Sequence, residues 1–182
     1  MVIQLRPTRG GFKRPFGCAW FVREFLAGQG PNGTPDIDPV TGAPQTDVFS
    51  AYKEALIRAR AENLVAKEEE RRIRRGQAIL SVAQADAMLQ ALVEKMPVRS
   101  TGMTYHSFVN YFAILKRLGW VEATGKTEPS TFQEHYPEGP PRVFYRLTDA
   151  GREATVDQLS DPIGYLSGYS RSERSSKKEK GH

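Results

Sequence analysis

Cysteine is almost absent from this sequence. Cys18 is the single one in 182 residues, so no internal disulfide framework is open to the chain and a reducing compartment is expected. Histidine is scarce too: His106, His135 and His182 stand far apart, which gives neither zinc-ligand spacing nor a base beside the lone thiol. Nowhere do 18 apolar residues run together, and the opening MVIQLRPTRGGFKRP meets its arginines too early for a signal sequence. A cytoplasmic chain with no membrane partner is therefore expected. Acidic residues are missing from the first 23 positions, where the only charges are Arg6, Arg9, Lys13, Arg14 and Arg23.

Other short patterns also fall short of a site. Asp36 and Asp38 lack the further oxygen ligands and the bidentate Glu of a calcium loop. The GQG at 28–30 follows no strand and precedes no phosphate-loop lysine. Asn32 heads a glycosylation pattern but, without a secretion signal, reads as a turn. Cys18, within FGCAWF, reads as a small buried hydrophobe. No catalysis, cofactor or metal is expected.

The net charge is +5, with a pI near 9.4 and a mean hydropathy of −0.51. The tail YSRSERSSKKEKGH adds Arg171, Arg174, Lys177, Lys178 and Lys180 against Glu173 and Glu179, so both ends are basic arms. Such arms suit nucleic-acid contact, and equally suit plain solvation.

Between them, a short strand is expected over Val2 to Leu5 and then an irregular stretch to Gly17. GCAWFVREFLAG predicts a helix with Trp20, Phe21, Glu24, Phe25 and Leu26 on one side and Gly28 as its stop. The next stretch, QGPNGTPDIDPVTGAPQ, reads as loop. Asp47 or Thr46 is placed to cap a helix from Val48 that meets no proline or glycine until Gly76. Its first half carries an apolar stripe at Val48, Tyr52, Ala55, Leu56, Ala59 and Leu64. Its second half is nearly all charged, with Glu68 and Arg72, and Glu70 and Arg74, at supportive i,i+4 spacing. A helix end polar all round must meet solvent, a partner or DNA. Ser81 caps a further amphipathic helix with Ala85, Met88, Leu89, Leu92, Val93 and Met96 on its apolar face, closed by Pro97.

The segment TYHSFVNYFAILKRL, 104–118, is the most informative. On a helical wheel Phe108, Tyr111, Phe112, Leu115 and Leu118 share one face, and His106, Asn110, Ala113 and Arg117 the opposite one. Asn can bond adenine bidentately, Arg can take guanine or phosphate, and a small Ala lets the backbone approach a thymine methyl. Standing alone, that face would be no more than the solvated side of an amphipathic helix. It does not stand alone. The chain continues into a strand-like WVEAT, a polar hairpin tip, a second strand-like RVFYRL, and Thr148 placed to cap a last helix, DAGREATVDQLS. IGYLSGY beyond Pro162 offers aromatics to the core.

LKRLGWVE at 115–122 and FYRLTDAGRE at 144–153 together resemble the winged helix-turn-helix domains of PadR-like and MarR-like regulators, best over residues 100–155. The resemblance implies a mainly α fold with a small β-hairpin wing, here with a long charged helical extension. It also implies that 104–118 is a recognition helix and that duplex DNA is the partner. The residues expected at the DNA are His106, Ser107, Asn110, Ala113 and Arg117 on the helix, Lys126 at the wing, and Arg142 and Arg146 on the returning strand. Lys126, Glu128, Glu134, His135 and Glu138 are expected at the hairpin tip, where the glutamates would be repelled by phosphate.

The upstream helices depart from the pattern, because VRSTGM leaves no room for a short second helix before Thr104. Two threadings are open. The core uses 18–27, 47–60 and 104–118, or else 81–96 is itself a core helix; the first is favoured because the Trp20 and Phe25 stripe needs a partner such as Tyr52 to Leu56. The expected organisation is a basic N-terminal arm at 1–17, one winged helix domain at 18–168 with an inserted helical arm at about 61–98, and a disordered basic tail at 169–182. The expected function is duplex DNA binding in transcription regulation, with self-pairing into a homodimer through the charged helix. The rival is a winged helix adaptor in a larger assembly.

Overall fold

The computed structural model describes residues 16–29, 37–130 and 140–168. The expected strand at Val2 to Leu5, most of the N-terminal arm, the tail and the hairpin-tip residues Glu134, His135 and Glu138 lie outside the described residues. The chain is mainly helical with one small three-stranded antiparallel sheet. It forms two compact units. One holds 17–50 and 105–168, and the other holds Phe16 and 51–104.

In the first unit the order is α1 (Cys18–Leu26), β1 (Ala43–Pro44), the opening turns of α2 (Gln45–Arg74), α4 (Tyr105–Arg117), β2 (Val121–Glu128), β3 (Arg142–Leu147), and three short helices, α5 (Asp149–Glu153), α6 (Val156–Ser160) and α7 (Pro162–Leu166). α1 forms because Phe21, Val22, Phe25 and Leu26 recur at helical spacing; all four are buried, with the Phe21 and Phe25 rings stacked at 5.5 Å. It packs on β3 and α6. Arg23 ties it to the α5–α6 junction by donating to the Ala154 carbonyl at 3.0 Å.

The stretch 29–45, expected to be loop throughout, contains β1, which pairs with β3 through Ala43 to Tyr145 and Pro44 to Phe144. Two residues are too few to show a period, which is why the pattern is silent there. The turn before it is closed by Asp38, whose carboxylate accepts from the Val40 and Thr41 amides at 3.0 and 3.3 Å and from the Thr41 hydroxyl at 2.6 Å. Gly42 then passes so close to β3 that a Cβ there would lie 1.9 Å from the Tyr145 carbonyl oxygen, and its φ is +68°. Only glycine fits.

α2 starts at Gln45, earlier than expected, so neither Asp47 nor Thr46 is its cap. Asp47 sits in the first turn and forms an ion pair with Arg142. β2 also exceeds expectation. It runs past Thr124 to Glu128 because Thr127 and Glu128 pair with Val143 and Arg142, after a bulge in which Thr124, Gly125 and Lys126 oppose Phe144 alone. Lys126 and Glu128 are thus strand residues, not tip residues.

The last helix, expected unbroken from Thr148, is divided. Thr148 accepts from the Gly151 amide at 3.1 Å to cap α5, but Ala154 leaves the helical conformation and Thr155 begins α6 with its own capping box to Gln158. A threonine with a glutamine three residues on is a helix start signal of its own. Asp161 and Pro162 start α7 in a similar way, and its Tyr165 stacks on Trp120 at 5.8 Å.

The second unit holds the rest of α2, then α3 (Val82–Lys95) and a 3-10 turn at Val98–Thr101, where the sequence predicts no helix. Tyr52, Leu56, Ile57, Ala61, Thr101 and Met103 are buried, and Phe16 sets its ring 6.1 Å from that of Tyr52. α3 has the predicted Ser81 cap, which Gln84 completes into a capping box. The six residues of its expected apolar face, Ala85, Met88, Leu89, Leu92, Val93 and Met96, are all half-buried, yet no residue of α3 is buried. The threading that made 81–96 a core helix therefore fails, since a core helix buries its stripe.

Candidate nucleic-acid interface

α4 is fixed from three sides within its unit. Phe108, Phe112 and Leu115 are buried. The Phe49 ring, from the opening of α2, lies 5.2 Å from Phe108 and 5.3 Å from Tyr105; Phe112 meets Tyr145 of β3 edge-on at 5.1 Å. α4 also packs on β2 and α7. Aromatic pairs at these separations add to burial in holding one rotation of the helix about its axis. At the far end the chain turns at Gly119 and enters β2, and Thr148 grips that turn by donating its hydroxyl to the Gly119 carbonyl at 2.5 Å and its amide to the Trp120 carbonyl at 3.1 Å.

With that rotation, Tyr105, His106, Ser107, Asn110, Lys116 and Arg117 are exposed, while Ala113 is half-buried. His106, Asn110, Ala113 and Arg117 lie within one narrow sector of the helix by their spacing. His106 and Asn110 are joined, Asn110 Nδ2 to His106 Nε2 at 3.2 Å. When the ring nitrogen accepts this bond, the carboxamide keeps its oxygen and one N–H for an outside partner. Arg117 makes no ion pair among the described residues. α4 contains no acidic residue at all.

The hairpin is different. Lys126 lays its ammonium over the Phe144 ring at 4.0 Å and pairs with Glu128 at 3.3 Å. Arg142 is half-buried, held by Asp47 and by Glu128 at 3.8 Å. Arg146 faces Glu122 across the strands at 2.8 Å. The three hairpin cations are thus matched by carboxylates of the chain itself, and the structure does not bring them onto α4. Sequence reasoning misses Lys116. It is exposed beside Arg117, with its ammonium 5.1 Å from the Tyr145 ring. The adjacent basic pair in LKRL is the signal that points to it.

Among the described residues no group of three or more His, Cys, Asp or Glu side chains could hold a metal ion, and no helix is long and apolar enough to cross a membrane. Comparison with family models, with curated proteins and with solved structures finds no match.

Proposed function

We propose that this chain is a winged helix protein that binds duplex DNA through α4, in the service of transcription regulation. The observation that carries the reading is the order α1, β1, α2 and, with α3 interposed, α4, β2, β3, combined with the sheet order β1-β3-β2. A helix packed on such a sheet by one face, with a hairpin directly after it, has its other face available to a groove about 12 Å wide. On that face His106, Ser107, Asn110 and Arg117 offer donors and acceptors without a carboxylate to repel phosphate. Asn110 would read a base edge, Arg117 and Lys116 a base or the backbone, and Ala113 would let the helix approach.

The test is fluorescence anisotropy of labelled duplex against the full chain across a salt series. Phosphate neutralisation predicts a linear fall of log affinity with log salt, about −0.9 per contact on duplex DNA. Absence of salt-sensitive binding to genomic duplex would sink the proposal. The internal pairing of Lys126, Arg142 and Arg146 favours a second reading, in which the hairpin is a protein-contact surface of an adaptor. On that reading the wild-type chain shows no salt-sensitive affinity for duplex DNA.

A further inference from the structure

Every other helix of nine residues or more among the described residues has fully buried residues in its apolar stripe, whereas the stripe of α3 is at most half-buried. Its face is nonetheless regular: Met88, Leu89, Leu92, Val93 and Met96 all remain partly accessible along one side of a helix with a complete capping box. Around it in sequence, Ile73, Ile79 and Val82 are each more than three-fifths exposed. A stripe of this kind gains from covering, because each aliphatic side chain left in water forgoes most of its burial free energy.

The charge order along α2 says what covers it. Acidic Glu68, Glu69 and Glu70 are succeeded at once by Arg71, Arg72, Arg74 and Arg75. Glu68 is spent within the helix, on Arg71 at 2.8 Å and Arg72 at 3.5 Å. Glu69, Glu70, Arg74 and Arg75 form no ion pair among the described residues, and Arg74 reaches only the Glu70 carbonyl oxygen, at 3.3 Å. An acidic block running into a basic block complements itself when two copies run antiparallel. A two-fold axis near Arg72 sets Glu70 of one copy opposite Arg74 of the other, and the reverse, whereas a parallel pair sets like charge on like. A polyanion is disfavoured here by the three glutamates, and a uniformly acidic or basic protein by whichever block it matches in sign.

We infer that residues 62–96 form a self-association surface, on which two copies of this chain pair antiparallel, the α3 faces supplying the apolar contact and the α2 charge blocks the direction. The inference stands apart from DNA binding, and its test contains no DNA. Sedimentation velocity of the full chain over a wide concentration range is expected to give a species of twice the chain mass. Leu89→Glu combined with Leu92→Glu is expected to give monomer, with unchanged far-ultraviolet circular dichroism because both positions are helical and neither is buried. Glu69→Arg with Glu70→Arg, and Arg74→Glu with Arg75→Glu, are each expected to weaken the dimer alone and to restore it when mixed. A wild-type chain that stays monomeric overturns the inference, as does a dimer indifferent to the α3 change. Charge-swapped pairs that do not recover on mixing overturn the antiparallel arrangement. Loss of helicity in the α3 variant shows that face to be internal packing, and also overturns it.

Discussion

Gly151 lies inside α5, where a change to alanine would ordinarily strengthen a helix by up to about 1 kcal/mol. The structure reverses that expectation. α5 begins directly over the turn between α4 and β2, so close that a Cβ at position 151 would stand 2.2 Å from the Trp120 carbonyl oxygen and 3.0 Å from the Leu147 side chain. The first of these is backbone, and it already accepts the Thr148 amide at 3.1 Å. It cannot move aside without loosening the Thr148 cap and the hydroxyl bond to Gly119. Overpacking of a closed site costs about 1–3 kcal/mol, and the lost bonds add to it, so Gly151→Ala is expected to destabilise this unit by about 2 kcal/mol net of the helical gain.

For a chain of this size that corresponds to a melting temperature lower by about 4–8 °C. The chain has only two tryptophans, Trp20 and Trp120, and both belong to the unit that contains Gly151. Tryptophan fluorescence during thermal or urea unfolding therefore reports on that unit alone, which removes the ambiguity of a two-unit transition. Arg152→Ala, at the next and exposed position of the same helix, serves as the control and should stay within about 0.5 kcal/mol. A Gly151→Ala protein as stable as the parent, or more so, would refute the account of how α5 sits on the end of α4.

Phe112→Ala removes a fully buried ring that touches Phe108 at 5.7 Å and Tyr145 at 5.1 Å, and should cost about 3–5 kcal/mol in urea unfolding; a near-neutral result would mean that α4 is rotated. Asn110→Ala and Arg117→Ala, both exposed, should leave the melting temperature unchanged and weaken binding to a preferred duplex by about 1–3 kcal/mol each. His106→Ala should reduce discrimination at the base read by Asn110 while leaving the salt slope alone, which selection from random duplex would measure. The Asp38 carboxyl titrates below its ordinary value of 3.8, first because the Thr41 hydroxyl bonds the carboxylate and then because the Val40 amide does. The folded form is thus favoured by this group above the ordinary value, and that support fades only as pH falls through the lower folded one. Carboxyl NMR should find its midpoint under 3.8, and Thr41→Val should raise it.

The parts of this molecule legible from sequence are those where one period runs long enough to be read. α1, α3 and α4 each repeat large apolar residues at helical spacing for nine residues or more, and each falls within a residue or so of its expected span. β1 spans two residues and is held by a glycine contact and an aspartate turn, neither of which leaves a periodic trace. The bulge that lengthens β2 is invisible for a related reason. Two extra residues on β2 interrupt the ladder between Ala123 and Thr127, so Lys126 and Glu128 read as tip rather than strand. The break at Ala154 is legible in principle, since Thr155 and Gln158 carry a capping box, but the helical propensity of the flanking residues obscures it.

For the candidate site the same distinction has a functional consequence. Which residues of α4 are exposed follows from its apolar stripe and is independent of any partner in space. Whether a basic residue is available to phosphate is not a property of its own sequence neighbourhood. Arg142 meets Asp47 from ninety-odd positions away, and Arg146 meets Glu122 across a hairpin. Counting cations on the hairpin therefore overstates its attraction for DNA, because in each pair the field seen at a distance is that of a dipole rather than a charge. Lys116 and Arg117 carry no such carboxylate partner among the described residues. If DNA is the partner, the salt slope should come chiefly from this end of α4 and from the basic termini, and substituting the hairpin cations should alter it little.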